Sequence, residues 1–220
     1  MSVAARLEMT EAGVFDAASF ATAAQASPSQ MADLERYRQY LVDWNAKLNL
    51  VGASTLDQFW SRHAWDCAQL RPLAPEAKTW ADLGTGAGLP GIVLAILGKG
   101  QDGFHVHLVE SVAKKCRFLS EVATGLDLPA TVHNARAEDL DLTVDVVTAR
   151  AMAPLRRLFG ASQGYFRRGA TGWFLKGQDV ASEVEEATRY WDFEAEIRPS
   201  QSDERGRIVH VRRLGRGRKT

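Results

Sequence analysis

The sequence predicts an α/β protein, a doubly wound and mostly parallel sheet with a helical cap on its N-terminal side. Three observations predict it. An apolar run over 80–83 leads into a glycine-rich loop and then a helix carrying Ile92, Val93, Leu94, Ile96 and Leu97. Downstream of this unit, strand-like and helix-like patterns alternate. Upstream, two amphipathic patterns of helical period precede the first strand. With 220 residues, 45% of them hydrophobic, the chain can bury one such domain and a modest extension.

Residues 1–30 are rich in Ala, Ser and Thr and read as a flexible or loosely helical lead. Over 31–76 the pattern is that of a helical cap. Leu34, Tyr37, Leu41, Trp44 and Leu48 recur at helical spacing, and Thr55 with Gln58 fits a capping box. That box would open a second helix with Phe59, His63, Cys67 and Leu70 facing inward. Pro72 and Pro75 close the cap, and the main domain runs over 77–214. Its strands are expected at 80–83, 105–110, 131–134, 144–149, 172–176, 193–197 and 208–214, the last two as an antiparallel pair. Helices lie between them, one with Val112, Cys116, Leu119 and Val122 inward and one opened by Asp179. Residues 215–220 read as a basic tail.

The glycine loop carries the first functional signal. Strand, glycines and helix N-terminus in this order let a backbone without Cβ atoms approach a ligand closely. Two ligand classes fit. Gly86, Gly88 and Gly91 have the G-x-G-x-x-G spacing of a dinucleotide site, with pyrophosphate on the helix dipole. Asp82, Gly84, Gly86 and Gly88 have the D-x-G-x-G-x-G spacing that resembles the first motif of S-adenosylmethionine-dependent methyltransferases. That donor carries no phosphate, and needs an acid such as Asp82 to balance its ammonium and sulfonium.

Bulk properties exclude little but bound much. Basic and acidic residues balance at 27 each, so net charge points to no nucleic-acid partner, although no acid follows Glu204 while Arg205, Arg207, Arg212, Arg213, Arg216, Arg218 and Lys219 do. Cys67 and Cys116 form neither a disulfide framework nor a C-x-x-C pair, and no Cys/His cluster has metal-ligand spacing. Glu8, Glu11 and Asp16 interrupt any signal-peptide core, and the longest apolar run is too short for a membrane span. The expectation is a cytoplasmic protein without a metal.

Other candidates sit where strands end, since ligands of doubly wound sheets bind beyond the strand carboxyl ends. Glu110 ends the second strand about 20 residues past the loop, the placement of an acid that accepts from ribose hydroxyls. Ala137 and Glu138 follow the third strand, where a backbone N–H and a carboxylate can read an adenine edge. Arg150 ends the fourth strand and Lys176 the fifth, two cations at one cleft. A strand-end arginine needs a partner: a carboxylate, a base or a phosphate. His63 and its neighbour Asp66 belong to the cap, where a lone histidine on an apolar face is more often a satisfied core residue.

Taken together, the motifs resemble the glucose-inhibited division protein B family, the ribosomal RNA small-subunit methyltransferase G enzymes. The pieces are Trp44-Asn45-Ala46-Lys47-Leu48-Asn49-Leu50, Arg62-His63 with Asp66, Asp82 through Gly91, Arg136-Ala137-Glu138, Ala149-Arg150-Ala151 and Leu175-Lys176-Gly177. The resemblance covers roughly 34–214. It implies a seven-stranded Rossmann-like methyltransferase sheet and transfer of a methyl group to N7 of one guanosine in the 530 loop of small-subunit (16S) ribosomal RNA. It places cofactor contacts at Gly84, Leu89, Ala137, Glu138 and Arg150. Glu110 departs from it, since the family often has Asp there; either carboxylate can serve a ribose.

The residue inventory agrees with that chemistry. Guanine N7 has a free lone pair and no proton, so displacement at a sulfonium methyl needs no general base, only positioning. Arg150 and Lys176 are then expected to anchor the guanosine or its phosphate. Asp82, Gly84, Gly86, Gly88, Leu89, Glu110, Ala137 and Glu138 would hold the donor, His63 and Asp66 would order the cap, and Arg216 and Arg218 would meet RNA. The partner is ribosomal RNA or an assembling small subunit, met by a monomer. The alternatives are a nicotinamide-dependent oxidoreductase and a non-catalytic RNA-binding module.

Overall fold

The computed structural model describes residues 15–217. Seven strands form one sheet in the order β3-β2-β1-β4-β5-β7-β6. They are β1 Thr79–Leu83, β2 His105–Glu110, β3 Ala130–Asn134, β4 Val146–Arg150, β5 Thr171–Lys176, β6 Trp191–Pro199 and β7 Arg207–Arg216. The first five are parallel, while β7 runs antiparallel to both β5 and β6. The doubly wound sheet and its closing antiparallel pair are as the alternating pattern predicts.

Strand order reverses between β1 and β4. The chain leaves β1 toward β2 through α4 (Gly91–Gly98) and leaves β4 toward β5 through α6 (Leu155–Arg167). The two departing loops diverge, and this opens the crevice in which such sheets take their ligands. Helix α5 (Ala113–Gly125) covers the α4 side; α7 (Val180–Thr188) covers the α6 side.

Alternation along the strands separates two cores. Trp80, Val106, Leu108 and Ile208 face α4, α5 and the N-terminal helices. Ala81, Leu83, Val147, Ala149, Phe174 and Val209 face α6 and α7. The N-terminal helices build no core of their own: Phe20, Leu34, Tyr37, Leu41, Phe59 and Leu70 are buried within the first of these clusters.

Five expectations are corrected. The lead predicted over 1–30 contains a helix, α1 (Ala17–Ala24), with Phe20 fully buried against Trp60 and Trp65; residues 1–14 lie outside the described residues. Helix α2 (Pro28–Leu48) starts at Pro28, not Met31, because Ser27 and Gln30 form the reciprocal capping box and Pro28 takes the first helical position. No capping box forms at Thr55. The chain there is a 3₁₀ turn, Ala53–Gln58, then a π-helical stretch, Phe59–Trp65, then the short α3 (Asp66–Ala68). Phe59, His63, Cys67 and Leu70 are buried as expected. Val112 is not inward; it precedes α5 and is 46% exposed. The basic tail begins later than 215, since β7 extends to Arg216.

Candidate functional site

The glycine loop follows β1 with Gly84, Gly86 and Gly88 at φ +65°, +56° and +88°, values that non-glycine residues rarely adopt. Asp82 lies beneath it, fully buried. Its Oδ2 accepts the Gly91 amide at 2.7 Å and the Thr85 hydroxyl. Its Oδ1 is buried with no hydrogen-bond partner among the described residues. Burial pushes the Asp82 carboxyl up to about 7, against the opposing hydrogen bonds from Thr85 and Gly91. Tyr37 on α2 holds the loop from the other side, its hydroxyl donating to the Ala87 carbonyl at 2.7 Å.

This arrangement decides between the two ligand classes. A dinucleotide pyrophosphate needs the free amides at the N-terminus of α4. Here the first of them is taken by a carboxylate, and a Cβ on Gly91 would meet Asp82 Oδ2 at 2.8 Å, so the helix end is closed by an acid. That is the wrong charge in the wrong place for a phosphate.

Beside the loop lies a cleft of about 370 Å³ lined by Gly84, Glu110, Ser111, Ala137, Glu138 and Met152, and also by Arg157. Glu110 is 6% exposed and accepts the Gly86 amide (3.1 Å) and the Val112 amide (2.8 Å). Four of the expected contacts, Gly84, Glu110, Ala137 and Glu138, therefore share one cavity. Gly88 and Leu89 lie below it: a Cβ on Gly88 would meet Ile92, and Leu89 is part of the α4 core.

Arg150 lines a second cleft of about 380 Å³, between sheet and cap, together with Arg62, Asp66, Lys176, Ser202 and Arg205. Both terminal nitrogens of its guanidinium are held by the cap. Nη1 pairs with Asp66 Oδ2 at 3.2 Å and donates to the Arg62 carbonyl, and Nη2 donates to His63 Nδ1 at 2.8 Å. Thr55 donates to the Gly52 carbonyl and so accepts from His63 Nε2, which sets His63 as the neutral tautomer with Nδ1 free to accept. Asp66 also accepts from Ser202 (2.6 Å), and Gln69 bonds Ser200 and the Gln201 amide, tying the β6–β7 turn to the cap. Lys176 Nζ lies 2.6 Å from Glu183 and 3.0 Å from the Ala153 carbonyl. Both cations thus have acids of their own, which sequence spacing did not reveal. Asp66 lies 84 positions from Arg150, and Glu183 is one acid among several on α7.

A family model described as rRNA small subunit methyltransferase G matches residues 30–206. The chain belongs to this family. A ribosomal RNA small subunit methyltransferase G from Caulobacter vibrioides is 58% identical over 212 residues, 96% of this chain and 98% of the relative. Another with that name, from Methylorubrum populi, is 48% identical over 186 residues, covering 83% and 88%. A solved S-adenosylmethionine-dependent methyltransferase from Aquifex aeolicus superposes with a TM-score of 0.53 at 15% identity, over 74% of this chain and 94% of its own.

The methyl donor of this family fits the first cleft on the chain's own geometry. Gly86 faces open space, a Cβ there meeting nothing nearer than the Gly84 carbonyl at 3.8 Å, so the loop backbone can be approached closely. The unpartnered buried oxygen of Asp82 leaves an acid under the loop whose ionised form would balance a cationic donor. Among the described residues no group of His, Cys, Asp and Glu could hold a metal ion, and no helix is long and apolar enough to cross a membrane. Arg216 lies away from both clefts, on β7, and Arg218 lies outside the described residues. Met152, Thr85, Tyr37 and Glu183 were missed by sequence reasoning; only Met152, directly after the Ala149-Arg150-Ala151 motif, stood near a signal.

Proposed function

We propose that this protein transfers the methyl group of S-adenosylmethionine to N7 of a guanosine in the 530 loop of 16S ribosomal RNA. The observation that carries the reading is the pair of clefts that flank the segment 150–153 at the C-terminal end of β4. One is lined by Gly84 of the glycine loop, Glu110 and Met152, the other by Arg62, Arg150, Lys176 and Arg205.

The donor supplies an electrophilic methyl on a positively charged sulfur. Gly84 and Gly86 admit it by backbone approach, Glu110 accepts from its ribose, Ala137 and Glu138 read its adenine, and Asp82 balances its charge. Gly88 and Leu89 shape the loop from beneath. Arg150 and Lys176 position the guanosine; because both are neutralised by Asp66 and Glu183, they act as fixed hydrogen-bond donors more than as a net positive field. No side chain need take a proton, since N7 carries none, so holding the two reactants in line is what the residues contribute. His63 and Asp66 act through Arg150 and are positioning residues. The reading places the protein in the cytoplasm, as a monomer acting on ribosomal RNA or an assembling subunit.

The test maps chemically cleavable 7-methylguanosine in 16S ribosomal RNA from cells with and without the gene, and after addition of purified protein and donor. Cleavage within the 530 loop that depends on the protein is expected. Methyl incorporation elsewhere, or none with donor bound, would overturn the reading.

A further inference from the structure

A third cavity, of about 380 Å³, lies outside both clefts, where the start of α6 meets the junction of α7 with β6 and the end of β7. It is lined by Arg156, Arg157, Arg189, Tyr190, Trp191 and Arg216, with Gly217 at its edge. The wall holds four guanidinium groups and no carboxylate. Arg156 is paired with Glu186 (3.2 Å) and Arg189 with Glu185 (3.4 Å), whereas Arg157 and Arg216, both exposed, have no ion-pair partner among the described residues. A surplus of two positive charges is therefore available there.

The aromatic part is built. Trp191 donates its indole N–H to the Arg156 carbonyl at 3.0 Å, and its ring packs edge-on to Phe159, fixing the groove floor. Tyr190 is 51% exposed, with the Arg156 guanidinium 4.8 Å from its ring centroid. Its carbonyl accepts the Gly217 amide at 3.0 Å, so the backbone beneath the ring is tied to the end of β7. Arg157 also lines the glycine-loop cleft, so the two cavities share a wall.

Unpaired guanidinium groups beside an exposed, backed aromatic ring are the combination that takes single-stranded nucleic acid: cations track the phosphates while a base stacks on the ring. We propose that this groove is a second RNA-binding site, taking an unstacked nucleotide and its flanking phosphates next to the cleft where the methyl group is transferred. The inference rests on the RNA reading above and adds a site to it. Arg216, expected to meet RNA as part of a tail, would do so instead from the end of β7, in the cavity it lines with Tyr190.

Binding of a short fluorescent oligouridylate and of 16S ribosomal RNA to the full chain, followed across a salt series, tests this. Arg157→Gln/Arg216→Gln should weaken both RNAs roughly 10–30-fold at about 100 mM salt and reduce the slope of log K against log salt by about 1.4, as for two lost phosphate contacts. Tyr190→Ala should weaken binding roughly tenfold with the slope unchanged. Tyr190→Ala and Arg216→Gln should leave S-adenosylhomocysteine affinity as in the parent, which also reports that they fold. Parent-like RNA affinity and slope in all variants overturn the proposal. So does loss of binding to the assembled small subunit alone, which would assign the groove to a ribosomal protein. Failure of the parent to form 7-methylguanosine while these salt slopes hold would fault the assigned reaction and spare the groove.

Discussion

Arg150 donates from Nη2 to Nδ1 of His63 at 2.8 Å, joining the end of the fourth strand to the π-helical stretch of the cap. The contact works only while His63 is neutral, because a protonated ring has no acceptor to offer. Burial first, then Arg150 and Arg62, push the His63 pKa down to about 4.

A pH dependence follows. In the unfolded chain His63 titrates near its ordinary 6.5, so between about 6.5 and 4 the unfolded state binds more protons. The stability this group contributes is complete above 6.5 and is lost as pH falls toward 4. Urea unfolding at about pH 7.5 and pH 5 should show the parent losing on the order of 1–2 kcal/mol relative to His63→Asn, which keeps an acceptor. His107 shifts in the same direction, and comparing the two proteins cancels its part. Equal losses in both would show that His63 is not the group responsible.

Asp82 titrates with the opposite sign. Its pKa is raised to about 7, so the folded state holds the proton that the unfolded state releases near 3.8, and stability falls as pH rises through that window. Asp82→Asn should therefore gain stability relative to the parent on going from about pH 5 to pH 8. A cationic donor favours the ionised form, so parent affinity for S-adenosylmethionine should climb with pH, approaching tenfold per unit below about pH 7. Calorimetric titration of both proteins across this range checks it; a pH-independent parent would remove Asp82 from the donor site.

Gly84 and Gly86 separate packing from ligand access. Both sit at positive φ, so alanine at either strains the fold by about 1–2 kcal/mol. A Cβ on Gly84 also meets Met152 Cγ at 2.7 Å, and Gly84→Ala/Met152→Ala should recover the steric part of the lost melting temperature. Gly86→Ala has no such clash. It should melt only slightly below the parent yet bind S-adenosylhomocysteine at least roughly tenfold more weakly, because its methyl group stands where the ligand must approach.

Lys176 and Glu183 test whether a strand-end cation serves the fold or the substrate. Glu183 Oε2 accepts both Lys176 and the Leu155 amide, so the pair pins the start of α6. Lys176→Met leaves a half-buried carboxylate without its cation and should cost about 1–3 kcal/mol of stability. Lys176→Met/Glu183→Gln removes both charges while keeping an acceptor for Leu155, and should regain most of that. Single-turnover methylation should stay low in the double variant, because the donor aimed at guanosine is still missing. Recovery of rate along with stability would make Lys176 purely structural.

The sequence by itself determined the order and type of the sheet elements, the glycine loop and its acid, and the strand-end positions of Glu110, Arg150 and Lys176. These are local matters: a period of two, glycines where φ turns positive, and charge at the end of an apolar run. Even the true start of α2 was legible, in Ser27, Pro28 and Gln30, and the similar-looking Thr55 and Gln58 were the misleading pair. Only the tertiary structure decided what each polar group faces. Asp82 lies under the loop holding Gly91, Arg150 is held by Asp66 and His63, and Tyr37 reaches Ala87 across 50 positions. A hydrogen bond fixes two atoms within about 3 Å, and when its partners lie far apart in the chain no period or spacing encodes them. The packing of the cap onto the sheet chooses them.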